Sequence, residues 1–138
     1  MTPTHKNKTF ATLLAATLGG SGIHRFYIHG RRDPWAWLHF ASIPVSLILI
    51  FFGANGPMIL LAGAFVASTL AAVLEALVIG LCPDEKWDAR FNPDSRKKTV
   101  SGWPLALLLV VTVGGGAIGF IFVIARSFDL ILTGGAYG

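Results

Sequence analysis

The chain is poor in charge and in cysteine. Only 13% of its 138 residues are charged, whereas an ordinary soluble domain carries about a quarter. A water-exposed surface needs charged groups over most of its area, so this composition excludes a soluble globule. The single cysteine, Cys82, excludes an intramolecular disulfide and any zinc site built from several thiols.

Most of the sequence consists of long apolar runs. We predict an all-α, polytopic integral membrane protein that forms one four-helix transmembrane bundle over residues 1–138. The predicted spans are about 9–28, 35–52, 58–81 and 103–126, and a polar loop covers 83–102. Pro34 and Pro57 precede the second and third runs, at positions where proline favours a helix start.

The first run is short for a membrane span. As a helix, residues 9–23 would measure about 22 Å, less than the roughly 30 Å hydrocarbon core. Continuing the helix through Phe26 and Tyr27 would add length and place two aromatic rings at the interface. Two alternatives remain, a re-entrant segment and a cleaved signal peptide. Positive charge at His24 and Arg25, directly behind the run, opposes export, so we expect the run to stay in the folded protein.

The fourth run is too long for a perpendicular span. Residues 103–133 would measure about 46 Å as one straight helix. We therefore expect a bend at the glycines of residues 114–116 and Gly119. Arg126 and Asp129 should then lie at the far interface. The role of residues 127–138 is left open.

The cations are clustered along the sequence. Ten of the eleven lie in three polar islands at 6–8, 25–32 and 86–98. Such islands are typical of membrane flanks that face anionic headgroups, and we expect no nucleic-acid partner. The two basic loops outnumber the other side by eight cations to three if all four runs span, and by ten to one if the first is re-entrant. Both counts predict cytoplasmic loops, in a bacterial plasma (inner) membrane.

A specific motif follows the first run. Residues 19–30 read G-G-S-G-I-H-R-F-Y-I-H-G. With the preceding residues 6–18, this stretch resembles the TM-two domain family, small membrane proteins whose first span ends in a Gly-rich turn followed by H-R-F-Y or D-R-F-Y and a glycine. The family usually has two spans, so residues 34–102 depart from it, and the terminal run with Asp129 is only loosely similar to its second span. The resemblance implies a membrane protein with a cytoplasmic motif loop and does not imply an enzyme.

The motif and the basic residues after it form a candidate binding site. Arg25 offers a planar fork of five donors that suits a phosphate or a carboxylate. We expect it to bind a lipid headgroup or the acidic end of another helix, the alternative being that it holds its own loop through backbone carbonyls. The residues proposed for lipid or partner binding are His24, Arg25, Phe26, Tyr27, Gly30, Arg31 and Arg32.

Four polar residues interrupt the apolar runs: His39, Glu75, Arg126 and Asp129. A bare carboxylate such as that of Glu75 costs roughly 2.5–3.5 kcal/mol in a span, so it should face protein or water. We expect it to pair with His39 or Arg25, the alternative being a proton or cation site. The third run also carries small residues at four-residue spacing, which predicts a seam for close helix packing. These are Ala64, Ser68, Ala72, Ala76 and Gly80.

The histidines raise the question of a metal site. His24, His29 and His39 could be combined with Glu75 as ligands. On one helix, however, the five-residue spacing of His24 and His29 rotates them about 140° apart, so they would converge only from an open loop. We therefore expect hydrogen-bonding histidines, no metal and no cofactor.

Three functional classes fit these features. We favour a non-enzymatic membrane adaptor or assembly factor that contacts anionic lipid and packs as a homo-oligomer or against another membrane protein. The alternative is a small ion or solute transporter or channel that uses Glu75. A lipid-headgroup enzyme with His24 or His29 as base, near Ser21 or Tyr27, fits less well, because no carboxylate adjoins these residues in sequence.

The charge count generates a topology prediction. Cysteine introduced at Asn55 should react with an impermeant thiol reagent in intact cells, because Asn55 lies in the uncharged turn on the outer side. Cysteine at Asp94, in the basic loop, should react only after permeabilisation. Both variants are made in a Cys82→Ser background. Labelling of the Asp94 variant alone in intact cells would reverse the orientation.

Overall fold

The computed structural model describes residues 5–53 and 55–137, and all regular structure in these two ranges is helical. The all-α prediction is therefore confirmed for the described part of the chain. The elements are α1 (Lys8–Leu18), a 3₁₀ turn (Gly19–Ser21), α2 (Ile23–His29), α3 (Pro34–Phe52), α4 (Met58–Leu61), α5 (Gly63–Leu81), α6 (Asp84–Phe91) and α7 (Trp103–Thr133).

Three of these helices are long and apolar enough to cross a bilayer. Among the described residues they are α3, α5 and α7, with mean hydropathies of 1.8, 2.2 and 2.6. Their low charge and length fit the hydrocarbon core of a membrane. The chain therefore has the build of an integral membrane protein with three membrane-length helices, one fewer than the sequence predicted.

The predicted first span over 9–28 is wrong as a continuous helix. α1 has 11 residues, about 16 Å, which is half a membrane crossing. The chain then turns through Gly19–Ser21 and returns as α2. The start of α1 lies beside the end of α2, because Lys6 Nζ donates to the Ile28 carbonyl at 2.5 Å and the Asn7 amide donates to Tyr27 Oη at 2.9 Å. Together α1 and α2 form a helical hairpin in place of one continuous span, and we call it the re-entrant hairpin after the alternative that the sequence left open.

The tip of the hairpin depends on glycine. Gly22 has φ 75°, a left-handed conformation that glycine adopts without strain. A Cβ atom at Gly22 would lie 2.5 Å from the Ala36 carbonyl oxygen, and one at Gly19 would lie 2.4 Å from Ala72 Cβ. The absence of side chains here lets the tip insert between α3 and α5.

The hairpin packs on α5 along the small-residue seam. Ala72, Ala76 and Gly80 are buried on α5, and Ala11 and Ala15 are buried on α1. Small side chains let two helix backbones approach closely, which supplies van der Waals contact where water cannot drive association. The structure confirms the predicted seam over these three α5 positions.

Several predicted boundaries change in detail. The third run is broken at Ala62, so that the short α4 precedes α5. α3 stays helical through Pro44, and the Ser46 hydroxyl beyond it accepts the Phe65 amide of α5 at 3.0 Å. α7 is one helix from Trp103 to Thr133, uninterrupted at its glycines.

One end of the molecule is closed by a polar layer, which we call the basic end and define as residues 5–8, 24–33 and 82–102. Lys8, only 2% exposed, donates to the Cys82 carbonyl at 2.7 Å and contacts Asp84. The Trp87 indole donates to the Lys6 carbonyl at 3.0 Å. A short helix, α6, therefore forms within the predicted polar loop, and Trp87 packs inward against Ala11.

Asp88 anchors the segment that leads from α6 to α7. Burial alone would raise its pKa, but the Thr99 hydroxyl, the Asn92 amide and the Thr99 backbone N–H donate to the carboxylate and lower the pKa to about 2. These donors lie 2.6, 2.9 and 2.7 Å from it. The N-terminal segment, α6 and this connection therefore form one cross-linked unit.

Alanine at Gly22 should destabilise the protein. The left-handed backbone and the contact with Ala36 both oppose a Cβ atom, so we expect a loss of about 1–3 kcal/mol in the free energy of unfolding in detergent. Gly114→Ala is the matched control, because a Cβ there meets nothing within 4 Å. Helix propensity predicts no loss for the control and a gain of up to about 1 kcal/mol. Equal stabilities of the two variants would contradict the proposed tip geometry.

Candidate functional site

The re-entrant tip brings two consecutive motif residues to one carboxylate of α5. His24 Nε2 contacts Glu75 Oε2, and Arg25 Nη1 donates to Glu75 Oε1 at 2.5 Å. His24 is fully buried. Glu75 lies six residues before the end of α5 at Leu81, about 9 Å along the helix. Each oxygen of the Glu75 carboxylate therefore has a side-chain partner from the hairpin, although Glu75 lies within an apolar, membrane-length helix.

Arg25 also binds a second carboxylate. Its Nε donates to Asp33 Oδ2 at 2.9 Å, while Asp33 Oδ1 accepts the Trp35 amide at 3.0 Å and caps α3. Burial would raise the pKa of Asp33, but the hydrogen bonds from Arg25 and the Trp35 amide outweigh it and lower the pKa. One guanidinium thus connects α2 to α5 and to the start of α3, which uses its fork geometry.

His39 approaches the same carboxylate from α3. The Ser68 hydroxyl has one proton and donates it to the Gly20 carbonyl at 2.7 Å. Ser68 Oγ must then accept from His39 Nδ1, which lies 2.7 Å away. In a neutral His39 the proton is therefore on Nδ1, and Nε2 presents its lone pair 3.9 Å from Glu75 Oε1. We call His24, Arg25, Asp33, His39, Ser68 and Glu75 the tip cluster.

The tip cluster contains a possible zinc donor set. Ligand atoms of His24, His39 and Glu75 lie within 4.8 Å of one another, and two imidazoles with one carboxylate are a known zinc combination. Two features oppose this use. Arg25 already neutralises Glu75. A metal on His24 Nε2 would also move the proton to Nδ1, which is buried without a hydrogen-bond partner in the described structure. The geometry therefore fits an ion-pair network better than a metal centre.

The residues suggested for an enzyme are not gathered around one base. The His29 ring lies against Phe91, with centroids 5.6 Å apart. The Ser21 hydroxyl donates to the Leu18 carbonyl at 2.7 Å, and Tyr27 Oη accepts the Asn7 amide. Ser68 does contact a histidine, but its proton points to a carbonyl, so it is not set up as a nucleophile.

The other predicted site residues have separate places. Phe26 stacks edge-on against Trp37 with centroids 5.2 Å apart, Gly30 ends α2 with φ 81°, and Arg31 and Arg32 are exposed. In α7, Arg126 and Asp129 pair with each other, away from the tip cluster.

Sequence reasoning missed three members of the tip cluster or their roles. Asp33 stands directly before Pro34, which is a recognisable helix-capping pattern. His24 was named for its motif position and as a candidate metal ligand beside Glu75, but not as an ion-pair partner of Glu75. Ser68 was named only as a small seam residue, and its hydrogen bonds depend on the Gly20 carbonyl, which reaches it only because the hairpin is re-entrant.

Two cavities adjoin the tip cluster. One of about 350 Å³ lies toward the basic end, and its lining includes His24, Arg25 and Glu75. Another of about 450 Å³ lies between α3 and α5, and its lining includes His39, Ser68 and Glu75. Glu75 is therefore in contact with both cavities.

Removing the charge of Glu75 should destabilise the fold through Arg25. Glu75→Gln leaves a partly buried guanidinium with one acid instead of two, so we expect a loss of about 1–3 kcal/mol in unfolding free energy. In a double-mutant cycle with Arg25→Gln, the combined loss should be smaller than the sum by about 0.5–3 kcal/mol. Thermal and denaturant unfolding in detergent measure both quantities.

Glu85→Gln is the control, since Glu85 is exposed on α6 and its change should stay within about 0.5 kcal/mol. If the losses of the two single variants simply added, the Arg25–Glu75 ion pair would not contribute to the stability of the fold. Flux through reconstituted vesicles adds an independent reading, because an ion-coupling role predicts that Glu75→Gln abolishes transport while the fold is retained.

Comparisons with protein-family models, with curated proteins and with solved structures found no match to this chain. The resemblance of residues 6–30 to the TM-two domain family therefore stays a prediction, carried by the H-R-F-Y motif whose first two residues enter the tip cluster.

Proposed function

We propose that the protein is a non-enzymatic integral membrane protein of the TM-two type that acts as a membrane adaptor or assembly factor. In this proposal α7 packs against a second copy of the chain within the bilayer. The basic end meanwhile contacts anionic lipid headgroups on the cytoplasmic side of a bacterial inner membrane. The tip cluster has a structural role, holding the re-entrant hairpin between the spans.

The observation that carries the proposal is the isolation of α7. Only Leu105 and Thr112 are buried among its 31 residues. α7 contacts α5 closely at Gly116, where a Cβ atom would lie 2.6 Å from Val73 Cγ1. Beyond this point the two helices enclose an apolar groove of about 680 Å³, whose lining includes Gly119, Phe65 and Phe122. A groove with a glycine in its wall suits the close approach of another helix.

A second copy is the occupant because α7 offers both halves of such a contact. Gly114 and Gly115 lie exposed on the same helix, and a Cβ atom at either position would meet nothing within 4 Å. Glycine at these positions lets a helix backbone enter a narrow groove, and a symmetric pair would use groove and glycine face twice. The chain itself therefore supplies both the groove and the glycine face that a symmetric dimer requires.

The basic end supports the lipid part of the proposal. Ten of the eleven cations lie there. Lys6 and Lys8 are among them because both ends of the re-entrant hairpin lie beside α6. Seven of them are exposed and free to meet headgroups: Arg31, Arg32, Lys86, Arg90, Arg96, Lys97 and Lys98. This asymmetry favours the cytoplasmic leaflet by the positive-inside rule.

A transporter or channel is the second candidate function. It is favoured by one observation, the contact of Glu75 with both cavities beside the tip cluster. Intramembrane carboxylates that face a cavity often mark ion pathways. Against this use, both oxygens of Glu75 are engaged by His24 and Arg25.

Filling the groove should prevent self-assembly. Gly119→Leu places a large side chain in the groove wall while its Cβ meets nothing within 4 Å of the same chain, so the monomer fold should survive. We expect wild type to have the mass of an oligomer in mild detergent and Gly119→Leu to have the mass of a monomer. Native mass spectrometry and light scattering measure this.

Gly63→Leu is the matched control, because it makes the same change outside both the groove lining and the glycine face of α7, and a Cβ atom at Gly63 meets nothing within 4 Å. It should keep the wild-type mass. A monomeric wild type, or an oligomer that survives Gly119→Leu, would contradict self-assembly through the groove. A different membrane protein bound at fixed stoichiometry would replace the second copy as occupant.

A further inference from the structure

Three basic side chains converge on one aromatic ring at the basic end. The Phe91 ring centroid lies 5.2 Å from Arg90 Cζ, 5.9 Å from Lys6 Nζ and 5.6 Å from the His29 ring centroid. Lys6 is committed to the Ile28 carbonyl. Within the described residues no carboxylate lies within 4 Å of Arg90, so its charge is not neutralised by the chain.

Arg90 and His29 open onto the cavity of about 350 Å³ beside the tip cluster. The wall of this cavity has a basic part and an apolar part. Toward α6 and the end of α2 it carries Arg90 and His29, and along α5 it carries Val78 and Ile79. The Glu75 carboxylate at its inner end is already paired with Arg25, so that acid does not repel an incoming anion as a free carboxylate would.

The apolar part of the wall continues onto the lipid-facing surface. Val78 is 72% exposed and Leu74, one turn deeper on α5, is 64% exposed. Val78 lies three residues before the end of α5, about 4.5 Å along the helix. The cavity therefore reaches the last turn of α5 at Val78, and the exposed surface continues from there to Leu74, which matches the path of a phospholipid from phosphate to acyl chain.

We propose that this cavity binds the phosphate-bearing headgroup of an anionic phospholipid, with Arg90 and His29 on the phosphate and the acyl chain along Val78 and Leu74. Arginine suits phosphate because its planar fork gives two parallel hydrogen bonds. The site rests on the proposed contact of the basic end with anionic lipid, and it does not depend on self-assembly through α7. It replaces Arg25, the residue that the motif suggested, because Arg25 is held by Glu75 and Asp33.

Lipid retention by the full chain tests this site. The purified protein in non-ionic detergent is mixed with phosphatidylglycerol, phosphatidylcholine or inorganic phosphate, and native mass spectrometry counts bound molecules. We expect wild type to retain one phosphatidylglycerol more tightly than phosphatidylcholine. Arg90→Gln should weaken that one binding event about five-fold, the effect of losing one basic contact to anionic lipid.

Arg96→Gln is the matched control. Arg96 is exposed at the same end, carries the same charge and does not line the cavity. It should leave the tight phosphatidylglycerol unchanged, and both variants should melt like wild type, because neither residue carries an ion pair in the described structure.

Three outcomes would overturn the site. Equal weakening by Arg90→Gln and Arg96→Gln would mean general attraction by the basic end without a discrete site. Unchanged binding by Arg90→Gln would remove Arg90 from the contact. Inorganic phosphate that displaces phosphatidylglycerol would assign the cavity to a free anion. The failure of self-assembly is measured separately as protein mass, so the two proposals fail independently.

Discussion

The charge of Glu75 is the constraint on which the rest of the structure depends. Its carboxylate lies within a membrane-length helix, where a bare acid costs roughly 2.5–3.5 kcal/mol. Arg25 and His24 remove that cost, and both come from the hairpin of α1 and α2. The hairpin geometry and the half-buried acid therefore support each other, since the hairpin brings to Glu75 the two partners that its charge needs.

The hairpin is held at two levels. At its tip, glycines allow close contact with Ala36 and Ala72, and the Gly20 carbonyl accepts the Ser68 hydroxyl. At its base, Lys8 binds Asp84 and the Cys82 carbonyl. Backbone polar groups of a non-helical turn must find partners inside a membrane protein, and these contacts supply them for the Gly20 carbonyl. Contacts at both ends therefore hold the hairpin in the fold.

This arrangement gives the molecule one part that is densely cross-linked and one part that has few internal contacts. α1, α2, α5 and α6 are cross-linked by ion pairs and hydrogen bonds at the basic end. α7 leaves that unit beyond Gly116 and exposes most of its surface. Two arginines show the same difference. Arg25 forms ion pairs with Glu75 and Asp33 inside the fold, whereas Arg90, beside the cavity, has no acidic partner in the described structure. A structural role for the motif and a binding role for the surface around it are therefore compatible.

The sequence by itself determined the membrane environment, the helical class and the clustering of charge, because composition and run length depend on no long-range contact. It also identified the α5 seam and offered Arg25 and His39 as neighbours of Glu75. Only the tertiary structure decided that the first run turns back, because a short apolar run followed by glycine permits both a strained span and a hairpin. The partnership of His24 with Glu75 and the tautomer of His39 followed from that turn. They join residues far apart in the chain, and no local pattern records which of several polar groups will meet once helices pack.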